Sequence, residues 1–177
     1  MDATEGQHRQ DPPESGNEKS QLLGFLGYHR DTLRMKVDGL SGEQLNAVHQ
    51  PSTMTLGGML KHLALVEQWW FGCTFLGREY SEPWASVDWE ADEDWDWHSA
   101  AVDTPEQLRT LFDAEVADSD AIIAAAPGLD ALSVREGRRT GKPFNLRWIL
   151  LHMIEEYARH NGHADLIRES IDGVTGE

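Results

Sequence analysis

Phe144 to Asp172 reads FNLRWILLHMIEEYARHNGHADLIRESID, and this stretch decides the fold. Its apolar residues run from Leu146, Ile149 and Leu150 through Met153, Ile154 and Tyr157 to Ala164, Ile167 and Ile171. They recur at spacings of three and four, the period of one buried helix face. Asn145 suits the N-cap and Gly173 the stop. The polar content is less ordinary. His152, Glu156 and His160 lie four residues apart and so share one side of the helix, with His163 slightly off that line. A metal site and a buried hydrogen-bond network both account for this placement.

Working outward, a first helix is expected from about Ser20 to Val37, with Gly24 and Gly27 lowering its propensity. Ser41 with Gln44 has the form of a capping box around one short turn. A second helix is expected from Ser52 or Thr53 to Leu76, and a third from Thr104-Pro105 to just before Pro127. Four long helical segments without convincing strand alternation predict an all-α protein, a four-helix bundle. Residues 78–103 form a long crossover between the second and third of these helices. It carries Trp84, Trp89, Trp95 and Trp97 among many acids. Those indoles plug the end of the bundle or, with Trp84 and Trp89 as candidates, wall a pocket. Residues 1–18 are polar and aperiodic, a flexible tail ahead of one domain over 19–177.

The chain has 177 residues and a net charge of −16, from 15 Lys plus Arg against 31 Asp plus Glu. So negative a surface repels phosphate backbones, and no basic stripe runs along any helix, so nucleic acid is not an expected partner. No apolar run approaches the length of a membrane span. The N-terminal residues carry no hydrophobic core of the kind a secretory signal needs, which favours the cytoplasm. Cys73, the single cysteine, falls in an apolar helical pattern and reads as a buried spacer rather than a reactive thiol.

A first-row metal needs several lone-pair donors, and neighbouring turns of a helix supply two of them. His152 with Glu156 and Glu156 with His160 both have that spacing, so the pairs compete. His62, near the apolar seam of the second helix, could add a donor from across the bundle. The only concentrated positive charge is Arg138, Arg139 and Lys142 in a glycine-containing loop, followed by Arg147 in the last helix. These four cations could hold an anionic ligand; solubility and ion pairing account for them equally well.

LLHMIEEYARHNGHADLIRESIDG, together with KHLALVEQWW at Lys61–Trp70, resembles the DinB/YfiT-like superfamily. Within it the chain is most similar to the actinobacterial branch of the mini-circle protein and the metal-binding domain of mycothiol-dependent maleylpyruvate isomerase. The resemblance implies a four-helix bundle, often a homodimer, with zinc or nickel held between helices by His62, Glu156 and His160. It places His163 where relatives carry a glutamine, as a residue orienting a ligand or carrying a proton, and His152 beside the ligands. It also implies a low-molecular-weight thiol such as mycothiol as cosubstrate, and a small electrophile. The expected activity is metal-dependent thiol S-transfer. A metal-dependent hydrolase using bound water, or a non-catalytic ligand-binding bundle, uses the same residues.

Overall fold

The computed structural model describes residues 9–175. The first eight residues of the expected tail, and the last two of the expected domain, lie outside that range. Local chemistry sets the helix starts. Asn17 opens α1 (Glu18–Val37) by accepting from the Ser20 amide at 2.9 Å. Ser41 and Gln44 close a reciprocal capping box on the short α2 (Gly42–Leu45). Thr55 caps α3 (Leu56–Glu67), so this helix starts later than Ser52. Thr104 and Gln107 form a second capping box on α5 (Pro105–Ala125). Asn145 caps α6 (Leu146–Asp172), which Gly173 closes in the left-handed region at φ 75°.

Two departures from the expected all-α pattern stand out. The second helix does not continue as an α-helix to Leu76. It widens into a π-helical segment over Gln68–Phe75, a form that often marks functional regions. The second departure is a short hairpin, β1 (Leu132–Glu136) with β2 (Pro143–Asn145), paired antiparallel with a register shift between its ends. Ser133 holds it, accepting from the Phe144 amide at 2.9 Å and donating to the Arg135 carbonyl at 2.7 Å. Val134 on β1 sits against Gly77, where a Cβ would lie 2.7 Å from its methyl group, so the hairpin rests on the end of the π-segment.

The long helices associate in pairs, α1 along α6 and α3 along α5, with α3 also touching α1 and α6. Leu26, Leu33, Leu60, Leu63, Phe112, Met153 and other apolar side chains fill the space between them. The crossover is ordered rather than structureless: it contains single 3-10 turns and α4 (Trp95–Ser99). Residues 9–17 run against α1. Arg9 covers the Tyr28 ring and donates to Thr32, and Pro13 fills the space over Gly24.

A charged group crosses this core. Arg30 of α1 forms a two-pronged pair with Glu67 of α3, at 2.7 and 2.6 Å, and reaches Asp120 of α5 at 2.8 Å. The Tyr157 hydroxyl of α6 donates to Glu67 at 2.7 Å. Arg30, Glu67 and Tyr157 are all buried. Removing Glu67 leaves the buried guanidinium only the exposed Asp120 and strands the Tyr157 hydroxyl, and breaking a buried pair typically costs about 3–5 kcal/mol. Glu67→Gln should therefore lower the unfolding free energy by about 3 kcal/mol, read as a lower denaturant midpoint at unchanged slope. Tyr157→Phe, which removes one hydrogen bond to a charge, should cost roughly 1.5–3 kcal/mol in the same chemical unfolding measurement.

Candidate metal centre

The four-residue period of α6 stacks Trp148, His152, Glu156 and His160 on one face. α3 brings His62 to the same face from across the interior. One donor atom each from His62, Glu156 and His160 lies within 4.8 Å of the others, close enough for these residues to share one small ion. The rings of His62 and His160 meet edge to face with centroids 5.0 Å apart. Glu156 stands between two imidazoles: one carboxylate oxygen is 3.3 Å from Nε2 of His152, the other 3.7 Å from Nε2 of His160. His152, Glu155 and Glu156 form a second, more open grouping of donors. All three residues of the first group are partly exposed, so a small molecule can reach them.

Two crossover residues hold His62: Trp97, one of the four indoles expected to plug the bundle or wall a pocket, and Asp96, which the sequence did not single out. Asp96, itself buried, accepts from Nδ1 of His62 at 2.7 Å. With the proton on Nδ1, the Nε2 lone pair is left bare, the tautomer a metal ligand needs. Trp97 lies flat on the same imidazole, with centroids 4.7 Å apart and planes inclined by 26°. Gly58, one turn before His62, makes room for this indole: a Cβ there would come within 2.7 Å of the Trp97 ring.

The remaining sequence candidates separate in space. Trp84 has no exposed surface and belongs to the core, so it offers no wall to a ligand; it is a plug. Trp89 packs between Tyr80 and Trp95 rather than on the triad. The indole beside the triad is that of Trp97. Arg147 leaves the expected cationic group because Glu18 and Asp130 take up its guanidinium, two carboxylates distant in sequence. Arg138, Arg139 and Lys142 stay together around a cleft. His163 reaches towards His160, with ring centroids 6.1 Å apart. Cys73 is fully buried in the π-segment, and burial raises its thiol pKa above the ordinary value.

At His160 burial favours the lone pair over the proton. Burial, reinforced by His62 and His163, lowers the pKa of His160 to about 4. Nδ1 of His160 and Nδ1 of His163 are both buried without a hydrogen-bond partner. A neutral imidazole with an unsatisfied nitrogen, a second with a fixed tautomer and a carboxylate suit zinc or a similar divalent ion. The unfolded chain protonates His160 near the ordinary value of 6.5, whereas the folded chain resists protonation until about pH 4. The folded state thus binds fewer protons between those limits, and stability falls as pH falls through that window. The imidazole carbon-bound protons of His160 in metal-free protein should titrate by NMR near pH 4. A midpoint near 6.5 would contradict the buried, neutral assignment.

Comparison with known families matches residues 21–173 to the mycothiol-S-transferase model. No curated protein matches the chain. The matched span runs from the first turns of α1 to the glycine that closes α6, and so includes His62, Glu156 and His160. The chain belongs to the mycothiol-S-transferase family.

Proposed function

We propose that this protein is a divalent-metal-dependent thiol S-transferase, a DinB-type four-helix bundle over residues 19–177 that joins mycothiol to a small electrophile. The observation that carries this reading is the approach of His62, Glu156 and His160 from two helices, in a chain of this family. Zinc or nickel suits two imidazoles and one carboxylate, a set that leaves a position open for a ligand. When bound, the metal supplies positive charge that lets a thiol lose its proton near neutral pH. A homodimer and a cytoplasmic location belong to the same reading.

In this reaction each of the chain's own groups has a role. His62 is held by Asp96 and Trp97, and Glu156 is shared between His152 and His160. His163, half-buried beside His160, takes the thiol proton and passes it to solvent. The sulfur then forms its bond to the electrophilic carbon, and the displaced group leaves with the electron pair of the broken bond. Trp97 covers one face of His62.

Metal analysis of the purified protein should find about one divalent ion per chain, lost in His160→Ala while the circular dichroism spectrum is retained. Mycothiol-dependent consumption of 1-chloro-2,4-dinitrobenzene should disappear in the metal-free, folded protein. Equal rates with and without metal would sink the proposal. Asp96→Ala should weaken metal binding roughly 10–100-fold, as loss of a ligand-orienting carboxylate typically does. Competition against a chromophoric chelator reads that change without any activity assay.

A further inference from the structure

A cleft of about 630 Å³ opens where the hairpin tip meets the start of α6. Arg138, Arg139 and Lys142 line it together with Phe144 and Trp148. Most other cations in this acidic chain meet carboxylates, as Arg30, Arg78, Arg135 and Arg147 do. No carboxylate among the described residues forms an ion pair with Arg138, Arg139 or Lys142. Three like charges gathered in one short loop repel each other, and here no acid relieves them. The start of α6 adds the partial positive charge of a helix N-terminus to the same cleft. In a field set by a net charge of −16, such a local reversal is what an anion needs in order to approach.

The aromatic lining supplies a second, independent observation. Trp148 is 43% exposed at the opening of a helix whose other large apolar groups mostly turn inward. Phe144 lies 4.5 Å from it, centroid to centroid, and Trp70 is 5.3 Å from both rings. A third observation concerns direction. The Trp148 indole stacks on His152, with centroids 5.1 Å apart and planes 17° apart, and His152 reaches Glu156 at 3.3 Å. Eight residues of helix separate Trp148 from Glu156, about 12 Å at 1.5 Å per residue. The cleft and the triad are therefore two ends of one face of α6.

We propose that this cleft binds the anionic end of an amphipathic ligand, a carboxylate or phosphate on a flat apolar body. The anion sits among Arg138, Arg139 and Lys142, and the body lies over Trp148 and points along His152 towards the triad. Guanidinium groups match both oxyanions through paired N–H donors, and the indole face takes the flat body. That the far end is a reacting centre rests on the transferase reading; the binding site itself does not. It gives the unidentified electrophile a chemical class: an anionic, planar compound of sufficient length to span the face.

Titration of metal-free protein with 2-naphthoate and 1-naphthyl phosphate tests this by calorimetry. At least one of the two should bind at one site per chain, at least ten-fold tighter than both 2-naphthol and inorganic phosphate. The tighter of the two anions identifies the oxyanion preferred. Binding should weaken at least ten-fold in Arg139→Ala/Lys142→Ala and in Trp148→Ala, and weaken with added salt. The charge-retaining Arg139→Lys/Lys142→Arg variant should bind better than the alanine pair, and circular dichroism checks that every variant is folded. NMR should show contacts from the naphthyl protons to the Trp148 and His152 rings. Naphthyl anions that bind no tighter than 2-naphthol, that ignore the alanine variants, or that contact other rings only would overturn the proposal. Because these titrations contain no metal, their failure is separate from a failure of His160→Ala to alter metal content.

Discussion

A buried guanidinium decides how this molecule can be assembled. Arg30 enters the interior from α1 and loses its water, so it needs carboxylate oxygens placed to meet it. Glu67 of α3 supplies two, Asp120 of α5 supplies another, and Tyr157 of α6 completes Glu67. Every long helix thus contributes one group, and a rotation of any of them would leave a charge or a donor unmet. Apolar packing alone tolerates such rotations far better. The consequence reaches the triad because the network and the site share neighbours in sequence. Tyr157 follows Glu156 directly and lies three residues before His160, while Glu67 is five residues beyond His62. Locking Tyr157 onto Glu67 orients the two faces that carry the donors.

The crossover works on the other side of His62. Its acids and indoles make little sense as a helix or a linker, but α4 brings Asp96 and Trp97 together on one imidazole. Asp96 determines which nitrogen carries the proton, and Trp97 determines how far the ring can swing. Gly58 is the complement on α3, since only a residue without a side chain lets the indole come so near. The neighbouring Lys61 ties the same segment down, lying 4.4 Å over the Trp95 ring and pairing with Asp103. The acidic crossover is therefore part of the site's frame as well as a plug.

What could be read from the chain beforehand was whatever local chemistry controls. The caps at Asn145 and Thr104, the stop at Gly173 and the face shared by Glu156 and His160 all follow from spacing and hydrogen-bonding preference. His62 was legible only as one optional donor from across the bundle, because residues on separate helices leave no joint periodicity; the resemblance selected it together with those two. Asp96 was hidden among the crossover's acids, which have no pattern to single one out. The π-segment was hidden because Trp70, Phe71, Cys73 and Phe75 suit an α-helix and a wider one about equally. Arg147 looked like part of a cationic group because its partners Glu18 and Asp130 are near in space and not in sequence. Trp84 and Trp97 were indistinguishable by residue type; only packing sends one into the core and the other onto His62.

The placement of Cys73 has a bearing on durability. A catalyst that handles reactive carbon compounds exposes its own nucleophiles to them with every encounter, and a thiolate is the most vulnerable side chain. The only sulfhydryl in this chain sits in the π-segment with no exposed surface, and burial holds it in the protonated form. Under the proposed chemistry the sole reactive sulfur near the electrophile is the one the cosubstrate brings, so the protein resists alkylation by its own substrates.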